Sequence, residues 1–266
     1  MSALSADAVI EPVLALARAA GAAILKVYAR DFEVESKADR SPLTQADMAA
    51  HHCIADGLAA LSEALPMLSE ESPAAELEGR RSWQRYWLVD PLDGTREFVK
   101  RNGEFTVNIA LIEHGQPVFG VVYAPVLDEL YWAARGQGSF LRLAEGEDVE
   151  LRVRQPAPRP LRVAVSRSHL DPRSAALLEK LPEPQRVSLG SSLKFCRLAQ
   201  GSIDLYPRFG PTGEWDTGAG QCVLEAAGGA VLDLHGQPLR YNARDTLINP
   251  DFIALGDIEL PWREWL

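Results

Sequence analysis

The segment YWLVDPLDGTREF constrains the fold of this chain more than any other. Its apolar beginning is typical of the interior of a buried β-strand. Pro91 has no backbone donor and is predicted to end the strand pairing, and Gly94 allows a sharp turn into a following helix. The sequence therefore predicts that Asp90 and Asp93 lie together at a strand-to-helix corner.

Such a corner is suited to metal ions and phosphate. Two carboxylates three residues apart make half of a site for Mg²⁺, which prefers oxygen ligands and keeps positions open for water and phosphate. The backbone amides of Gly94 and Thr95, at the predicted start of the helix, would donate to a phosphate oxygen. Asp-Pro-Leu-Asp-Gly is also ordinary turn chemistry, so the corner alone leaves a purely structural role open.

Composition excludes several other classes of protein. The chain has 266 residues, of which 47% are hydrophobic, enough for one large or two modest globular domains. A formal net charge of −10 argues against binding a nucleic-acid polymer, while a small anionic ligand in one cleft stays open. Three widely spaced cysteines predict neither a disulfide framework nor a zinc site, and they fit a reducing cytoplasm.

The beginning of the chain lacks the basic region of a secretory signal, and no run of 18 apolar residues occurs. We therefore expect no membrane span and a cytoplasmic location, with peripheral contact at the inner membrane as an alternative. Apolar periodicity predicts an opening helix from Ala8 to Tyr28, a short strand from Phe32 to Lys37 and a second helix from Gln45 to about Leu61. Asp47 falls in the first turn of that second helix.

The two halves of the chain differ in pattern. Strand-like runs follow the acidic corner and include a hairpin turn at His114-Gly115-Gln116, which predicts a mostly antiparallel sheet. Three prolines between Gln155 and Pro160 predict a linker, and strands alternate with helices beyond it. We therefore expect an α+β N-terminal domain at residues 1–155 with most metal ligands, and an α/β C-terminal domain at residues 156–266.

Three acidic motifs occur along the chain: Glu70-Glu71, Asp90-Pro91-Leu92-Asp93-Gly94-Thr95 and Trp215-Asp216. Together they resemble the signature motifs of the inositol monophosphatase-like family of lithium-sensitive Mg²⁺ phosphatases, and their order and spacing match over nearly the whole chain. Further segments are similar to those of the bacterial 3′(2′),5′-bisphosphate nucleotidases within that family: Ser166 to His169, Gly190 to Cys196 and Tyr206 to Asp216.

The resemblance implies a fold and a metal centre. The fold is the layered α/β/α/β/α sandwich of the sugar phosphatases, an α/β architecture with an α+β N-terminal half and a cleft between the halves. The cofactor is Mg²⁺, with two or three ions per active site. The implied metal ligands are Glu70, Asp90, Leu92 through its carbonyl, Asp93 and Asp216. The implied catalytic residues are Glu70 and Thr95, which would activate water, and Asp47, which would orient Thr95.

The resemblance also implies contacts with the substrate. The implied substrate-binding residues are Glu70, Leu92, Asp93, Gly94, Thr95, Ser166, His169, Gly190, Lys194 and Asp216. Lys194 and Arg208 would pair with a non-scissile phosphate, which an inositol monophosphate does not carry. Structural roles stay open for some of these residues, since Asp216 also suits a helix N-cap and a helical lysine is usually solvated.

The predicted reaction is Mg²⁺-dependent hydrolysis of adenosine 3′,5′-bisphosphate to AMP and phosphate, linked to sulfur metabolism. Phosphoadenylyl sulfate is a second substrate by the same resemblance. One alternative is a monoesterase for inositol 1-phosphate or another sugar phosphate, which would use the same metal ligands. A non-catalytic nucleotide sensor is disfavoured because the acidic residues are all present. The predicted partner is a small nucleotide, bound by a monomer or a homodimer.

Overall fold

A computed structural model of the chain describes residues 6–30, 42–61, 64–144, 146–167 and 171–266. The predicted strand from Phe32 to Lys37 lies outside the described residues, as does His169. No described helix is long and apolar enough to cross a membrane.

Two long helices come first, α1 at Ala6–Tyr28 and α2 at Pro42–Ala59, and they pack against each other. Both predicted helices are confirmed. Helix α2 begins three residues before the predicted Gln45, because proline is well tolerated at the first helical position. The prediction that Asp47 lies in the first turn was therefore wrong, since the first turn contains no acidic residue.

A seven-stranded sheet follows, with its strands in sequence order. The strands are β1 at Met67–Ser69, β2 at Arg85–Asp93, β3 at Thr106–Glu113, β4 at Gln116–Ala124, β5 at Glu129–Ala134, β6 at Gly138–Leu143 and β7 at Asp148–Glu150. Short 3₁₀ helices at Ala74–Leu77 and Arg80–Ser82 separate β1 from β2. Strands β1 and β2 are parallel and the other pairs are antiparallel, which confirms the predicted sheet.

The acidic corner differs from the prediction in one respect. Strand β2 continues past Pro91: Asp90 pairs with Asn108, the register then shifts, and pairing resumes between Asp93 and Thr106. Pro91 therefore interrupts the ladder without ending it, since a bulge accommodates the missing donor. Gly94, with φ of 96°, then turns the chain into the short helix α3 at Thr95–Val99.

A five-stranded sheet forms the second half of the chain, in the order β11-β12-β10-β8-β9. Its strands are β8 at Arg162–Ser166, β9 at Gln185–Leu189, β10 at Leu205–Arg208, β11 at Ala230–Asp233 and β12 at Phe252–Leu255. The helices are α4 at Pro172–Lys180, α5 at Leu193–Ala199, α6 at Gly218–Ala226 and a 3₁₀ helix at Trp262–Trp265. The predicted alternation of strands and helices is confirmed.

The layers follow from the packing of the apolar faces. Helices α1 and α2 bury their apolar sides against one face of the seven-stranded sheet. Helices α5 and α6 lie between its other face and the five-stranded sheet, whose outer face is covered by α4 and the final 3₁₀ helix. This order confirms the α/β/α/β/α sandwich. The predicted division between residues 155 and 156 falls in the irregular segment that joins the two sheets and stays a prediction.

Candidate active site

Three carboxylates form a cluster that we call the acidic triad: Asp90, Asp93 and Asp216. Each offers an oxygen within 4.8 Å of the others. Asp90 and Asp93 flank the bulge of β2, whereas Asp216 lies in the turn between β10 and α6. Helix α6 begins at Gly218, with Thr217 at the N-cap position, so Asp216 lies outside the helix and is not its N-cap. The triad therefore joins groups from the two halves of the chain.

Asp90 is the most buried member of the triad, with 1% of its surface exposed. Its Oδ1 accepts a hydrogen bond from the Leu92 N–H at 3.0 Å, while its buried Oδ2 has no hydrogen-bond partner among the described residues. Burial, together with repulsion from Asp93 and Asp216, raises the pKa of Asp90 well above its usual value. A buried carboxylate oxygen with no donor, surrounded by other carboxylates, fits the ligand set of a divalent cation.

Repulsion extends to the neighbouring acidic groups. Burial and the charge of Asp93 raise the pKa of Asp216 to about 7, although its Oδ2 accepts the Gly213 N–H at 2.8 Å. Glu70 follows β1, and its N–H donates to the Val89 carbonyl of β2 at 3.1 Å. Desolvation and the same charge raise the pKa of Glu70 to about 7. Strand pairing thus brings Glu70 beside the triad.

Asp47 on α2 belongs to the same electrostatic neighbourhood. Burial and repulsion from Glu71 and Glu70 raise its pKa to about 8. Helix α2 is tied to the end of β1 by a hydrogen bond of 3.0 Å between the buried His51 Nδ1 and the Ser69 Oγ. This concentration of negative charge is what a bound cation would relieve.

A polar bridge that the sequence pattern did not predict connects the two halves at the triad. The Ser192 Oγ lies 2.6 Å from Asp93 Oδ2 and 2.7 Å from the Asp216 carbonyl oxygen, and it accepts the Asn108 Nδ2 at 2.9 Å. Asn108 could have been found, since it is the polar residue inside the apolar run of β3. Ser192 carries no comparable signal, because a serine before a helix is common.

A pocket beside the triad carries three cationic side chains that we call the cationic wall: Arg96, Lys194 and Arg208. Lys194 is buried, and its Nζ donates to the Ser191 carbonyl at 2.7 Å and lies 5.3 Å from the centre of the Tyr206 ring. Burial lowers the pKa of Lys194 to about 8. The ammonium group is therefore mostly protonated at neutral pH.

The remaining side of the pocket is shaped by Gly190 and two acidic residues. A Cβ at Gly190 would lie 2.4 Å from the Glu97 Cγ, so this position requires glycine. The Gly190 N–H donates to the Glu104 Oε2 at 2.8 Å, and Glu104 also pairs with Arg167 at 2.6 Å. The sequence pattern did not predict Arg96, Glu104 or Arg167.

The structure thus brings together most of the predicted site residues. The predicted substrate contacts that line the pocket are Asp93, Gly94, Ser166, Gly190, Lys194 and Asp216. Leu92 is buried between the first two triad residues, and Thr95 is exposed at the start of α3. The orientation of Thr95 by Asp47 stays a prediction.

Known proteins resemble this chain in sequence and in structure. The model of the inositol monophosphatase family matches residues 5–259. The 3′(2′),5′-bisphosphate nucleotidase CysQ of Escherichia coli strain K12 is 53% identical over 245 residues, covering 91% of this chain and 98% of that protein.

Two solved structures are similar over nearly their whole length. The crystal structure of CysQ from Bacteroides thetaiotaomicron, a bacterial member of the inositol monophosphatase family, has a TM-score of 0.82 and 41% identity, covering 92% of this chain and 96% of that one. An inositol monophosphatase from Zymomonas mobilis has a TM-score of 0.79 and 25% identity, covering 98% and 99%. With the family model matching almost the entire chain, the protein belongs to the inositol monophosphatase family.

Proposed function

We propose that the protein is a Mg²⁺-dependent 3′(2′),5′-bisphosphate nucleotidase that hydrolyses adenosine 3′,5′-bisphosphate to AMP and phosphate. One observation carries this proposal: two members of the acidic triad, Asp93 and Asp216, line the same pocket as the cationic wall. A metal-ligating cluster alone would serve any phosphate monoester. The cationic wall could bind a second, non-scissile phosphate of the substrate. The 53% identity to a 3′(2′),5′-bisphosphate nucleotidase supports the same substrate.

The metal ligands that we propose are Glu70, the acidic triad and the carbonyl of Leu92, holding two or three Mg²⁺ ions. The orphaned Asp90 Oδ2 and the repulsion within the triad support a cation there. When bound, Mg²⁺ supplies Lewis acidity and lowers the pKa of a water nucleophile. N-terminal residues 1–155 would provide all of these ligands except Asp216, which would come from the C-terminal domain.

This chain's own residues would orient the substrate and move a proton. The Thr95 hydroxyl, held by Asp47, would orient the attacking water, and Glu70 would accept its proton. Gly94 and Thr95 would bind oxygens of the scissile phosphate. Lys194 and Arg208 would bind the other phosphate, while Ser166, His169 and Gly190 would contact the ribose and base.

Further features of the proposal rest on less specific observations. Phosphoadenylyl sulfate is proposed as a second substrate, with a role in sulfur metabolism, because its nucleotide carries the same pair of phosphates. The three cysteines are unpaired, which supports a reducing cytoplasm. We propose a monomer or a homodimer that binds no nucleic-acid polymer, with peripheral contact at the inner membrane as the alternative to a free enzyme.

The test is phosphate release from four substrates with Mg²⁺, each repeated with EDTA and with lithium. Adenosine 3′,5′-bisphosphate should be hydrolysed far more efficiently than 3′-AMP, which carries only the scissile phosphate, and than 5′-AMP, which carries only the other. Inositol 1-phosphate tests the related monoesterase. Preference for inositol 1-phosphate would overturn the nucleotide assignment, and no release from any substrate would overturn the catalytic one.

A further inference from the structure

The bridge at Ser192 links the two halves of the chain through a single hydroxyl group. Asp93 belongs to the seven-stranded sheet, whereas Ser192 immediately precedes α5 and Asp216 precedes α6. Ser192 is 1% exposed, and its Oγ lies within 2.7 Å of both the Asp93 carboxylate and the Asp216 carbonyl. A displacement of either half would therefore break at least one of these contacts.

The proton of this hydroxyl is directed by its surroundings. A serine hydroxyl has one proton and two lone pairs. The amide of Asn108, which is also 1% exposed, donates to Ser192 at 2.9 Å and occupies a lone pair. The serine proton is then left for the two oxygens that lie beyond, on Asp93 and on Asp216. Such a chain of hydrogen bonds strengthens each of its members in a buried site.

The bridging hydroxyl of Ser192 is uncharged, which suits its position beside the carboxylates of the triad. A cation at this position would neutralise the triad and compete with a metal ion for it. A fourth acid would add to the repulsion that already raises the pKa of Asp216 to about 7. A hydroxyl backed by an amide holds the carboxylate of Asp93 without either effect. Hydrogen-bond partners of metal ligands commonly fix the ligand geometry in this way.

We infer that Ser192, held by Asn108, is a positioning residue that fixes Asp93 and the Asp216 turn at the spacing needed to bind a divalent cation. The inference rests on the proposed metal-dependent function. It assigns Ser192 no contact with the reacting atoms: the hydroxyl acts through Asp93 and through the backbone of Asp216. Removing the Ser192 hydroxyl should lower the Mg²⁺ affinity more than it lowers the stability of the folded protein.

The test is the affinity for Mg²⁺ measured by calorimetry without substrate, together with the increase in Tm that Mg²⁺ produces. Ser192→Ala should weaken Mg²⁺ binding about 10- to 100-fold, the usual effect of losing such a partner. The Mg²⁺-dependent increase in Tm should shrink accordingly. A merely structural role would lower Tm equally with EDTA and with Mg²⁺, leaving the increase unchanged.

The matched control is Ser139→Ala. Ser139 lies on β6, is fully buried, and its hydroxyl has no hydrogen-bond partner among the described residues. The Ser139→Ala variant should bind Mg²⁺ with the affinity of the parent protein. Asn108→Ala provides a second variant should Ser192→Ala not fold, and it should weaken binding about three- to tenfold.

The possible results separate the inference from the proposed function. Mg²⁺ affinities within about twofold of the parent value in Ser192→Ala would overturn the positioning role, as would a parent protein that binds no Mg²⁺. If Ser192→Ala does not fold, an unchanged affinity in Asn108→Ala would overturn it. A parent protein that binds Mg²⁺ but releases no phosphate from adenosine 3′,5′-bisphosphate would overturn only the nucleotidase proposal.

Discussion

The acidic triad and the cationic wall meet at one pocket, which Asp93 and Asp216 line together with the three cations, but their charges are arranged differently. The three carboxylates lie within 4.8 Å of one another and repel, so that burial and mutual repulsion raise the pKa values of Asp90 and Asp216. On the cationic wall, Lys194 donates to backbone carbonyls and Arg208 donates to the Thr212 hydroxyl and the Pro211 carbonyl. Neither Lys194 nor Arg208 forms a salt bridge within the part of the chain that the structure describes.

This difference separates two kinds of ligand binding. The triad concentrates charge of one sign in a buried place, so a cation bound there should stabilise the folded protein even without substrate. Lys194 and Arg208 hold neutral carbonyl and hydroxyl partners, so their hydrogen bonds form without a ligand. An anion bound to the wall should contribute to substrate affinity and should stabilise the fold only by mass action.

The largest expected effect is that of Asp90→Asn. An asparagine can still accept the Leu92 N–H, but it removes the buried charge at the centre of the triad. We expect turnover to fall about 100- to 1,000-fold, since several kcal/mol of charge stabilisation is lost. With EDTA at about pH 8 the variant should have a higher Tm than the parent, because repulsion is relieved. Initial rates and thermal melts measure the two effects; normal turnover would refute the metal assignment.

A smaller effect is expected on the cationic wall, for Lys194→Met. Methionine retains much of the side-chain volume but removes the charge from this buried position. The KM for adenosine 3′,5′-bisphosphate should increase about 10- to 100-fold, which corresponds to the loss of a charge-assisted hydrogen bond. The KM for 3′-AMP should change little. Equal increases for both substrates would show that Lys194 does not recognise the second phosphate, and an unchanged Mg²⁺-dependent increase in Tm provides the control for the metal site.

The smallest effect is the pH dependence of the metal-free protein. Asp47, Glu70 and Asp216 have pKa values of about 8, 7 and 7 in the folded protein. In the unfolded chain these groups release their protons near pH 4, so the folded state binds more protons between about pH 4 and pH 8. Stability must therefore decrease as pH rises through this window.

Thermal melts with EDTA at about pH 6 and pH 8.5 should give a lower Tm at the higher pH, and Mg²⁺ should raise Tm more at the higher pH. Asp47→Asn removes one of the three groups and should reduce the difference. A Tm that is independent of pH in the metal-free protein would contradict the picture of crowded, repelling carboxylates at Asp47, Glu70 and Asp216.

Local chemistry in the sequence predicted many of the helices and strands and the β2 corner of the candidate site, while the layer order was implied by the family resemblance. Apolar periodicity predicted α1 and α2, and the turn at His114 and Gly115 predicted the hairpin, because both signals come from neighbouring residues. Pairings between distant strands carry no such signal. Strands β7 and β12 were therefore not predicted, and neither was the continuation of β2 beyond Pro91, which depends on its pairing with β3.

The same distinction holds at the site. The residues of the β2 corner predicted two neighbouring carboxylates, and the resemblance to a known family implied that Asp216 belongs with them. Only the tertiary structure decided what surrounds them: Ser192 and Asn108 at the triad, and Glu104 and Arg167 beside Gly190. Hydrogen bonds between residues as far apart as Asn108 and Ser192 arise when two sheets pack around shared helices, and no local pattern encodes that packing.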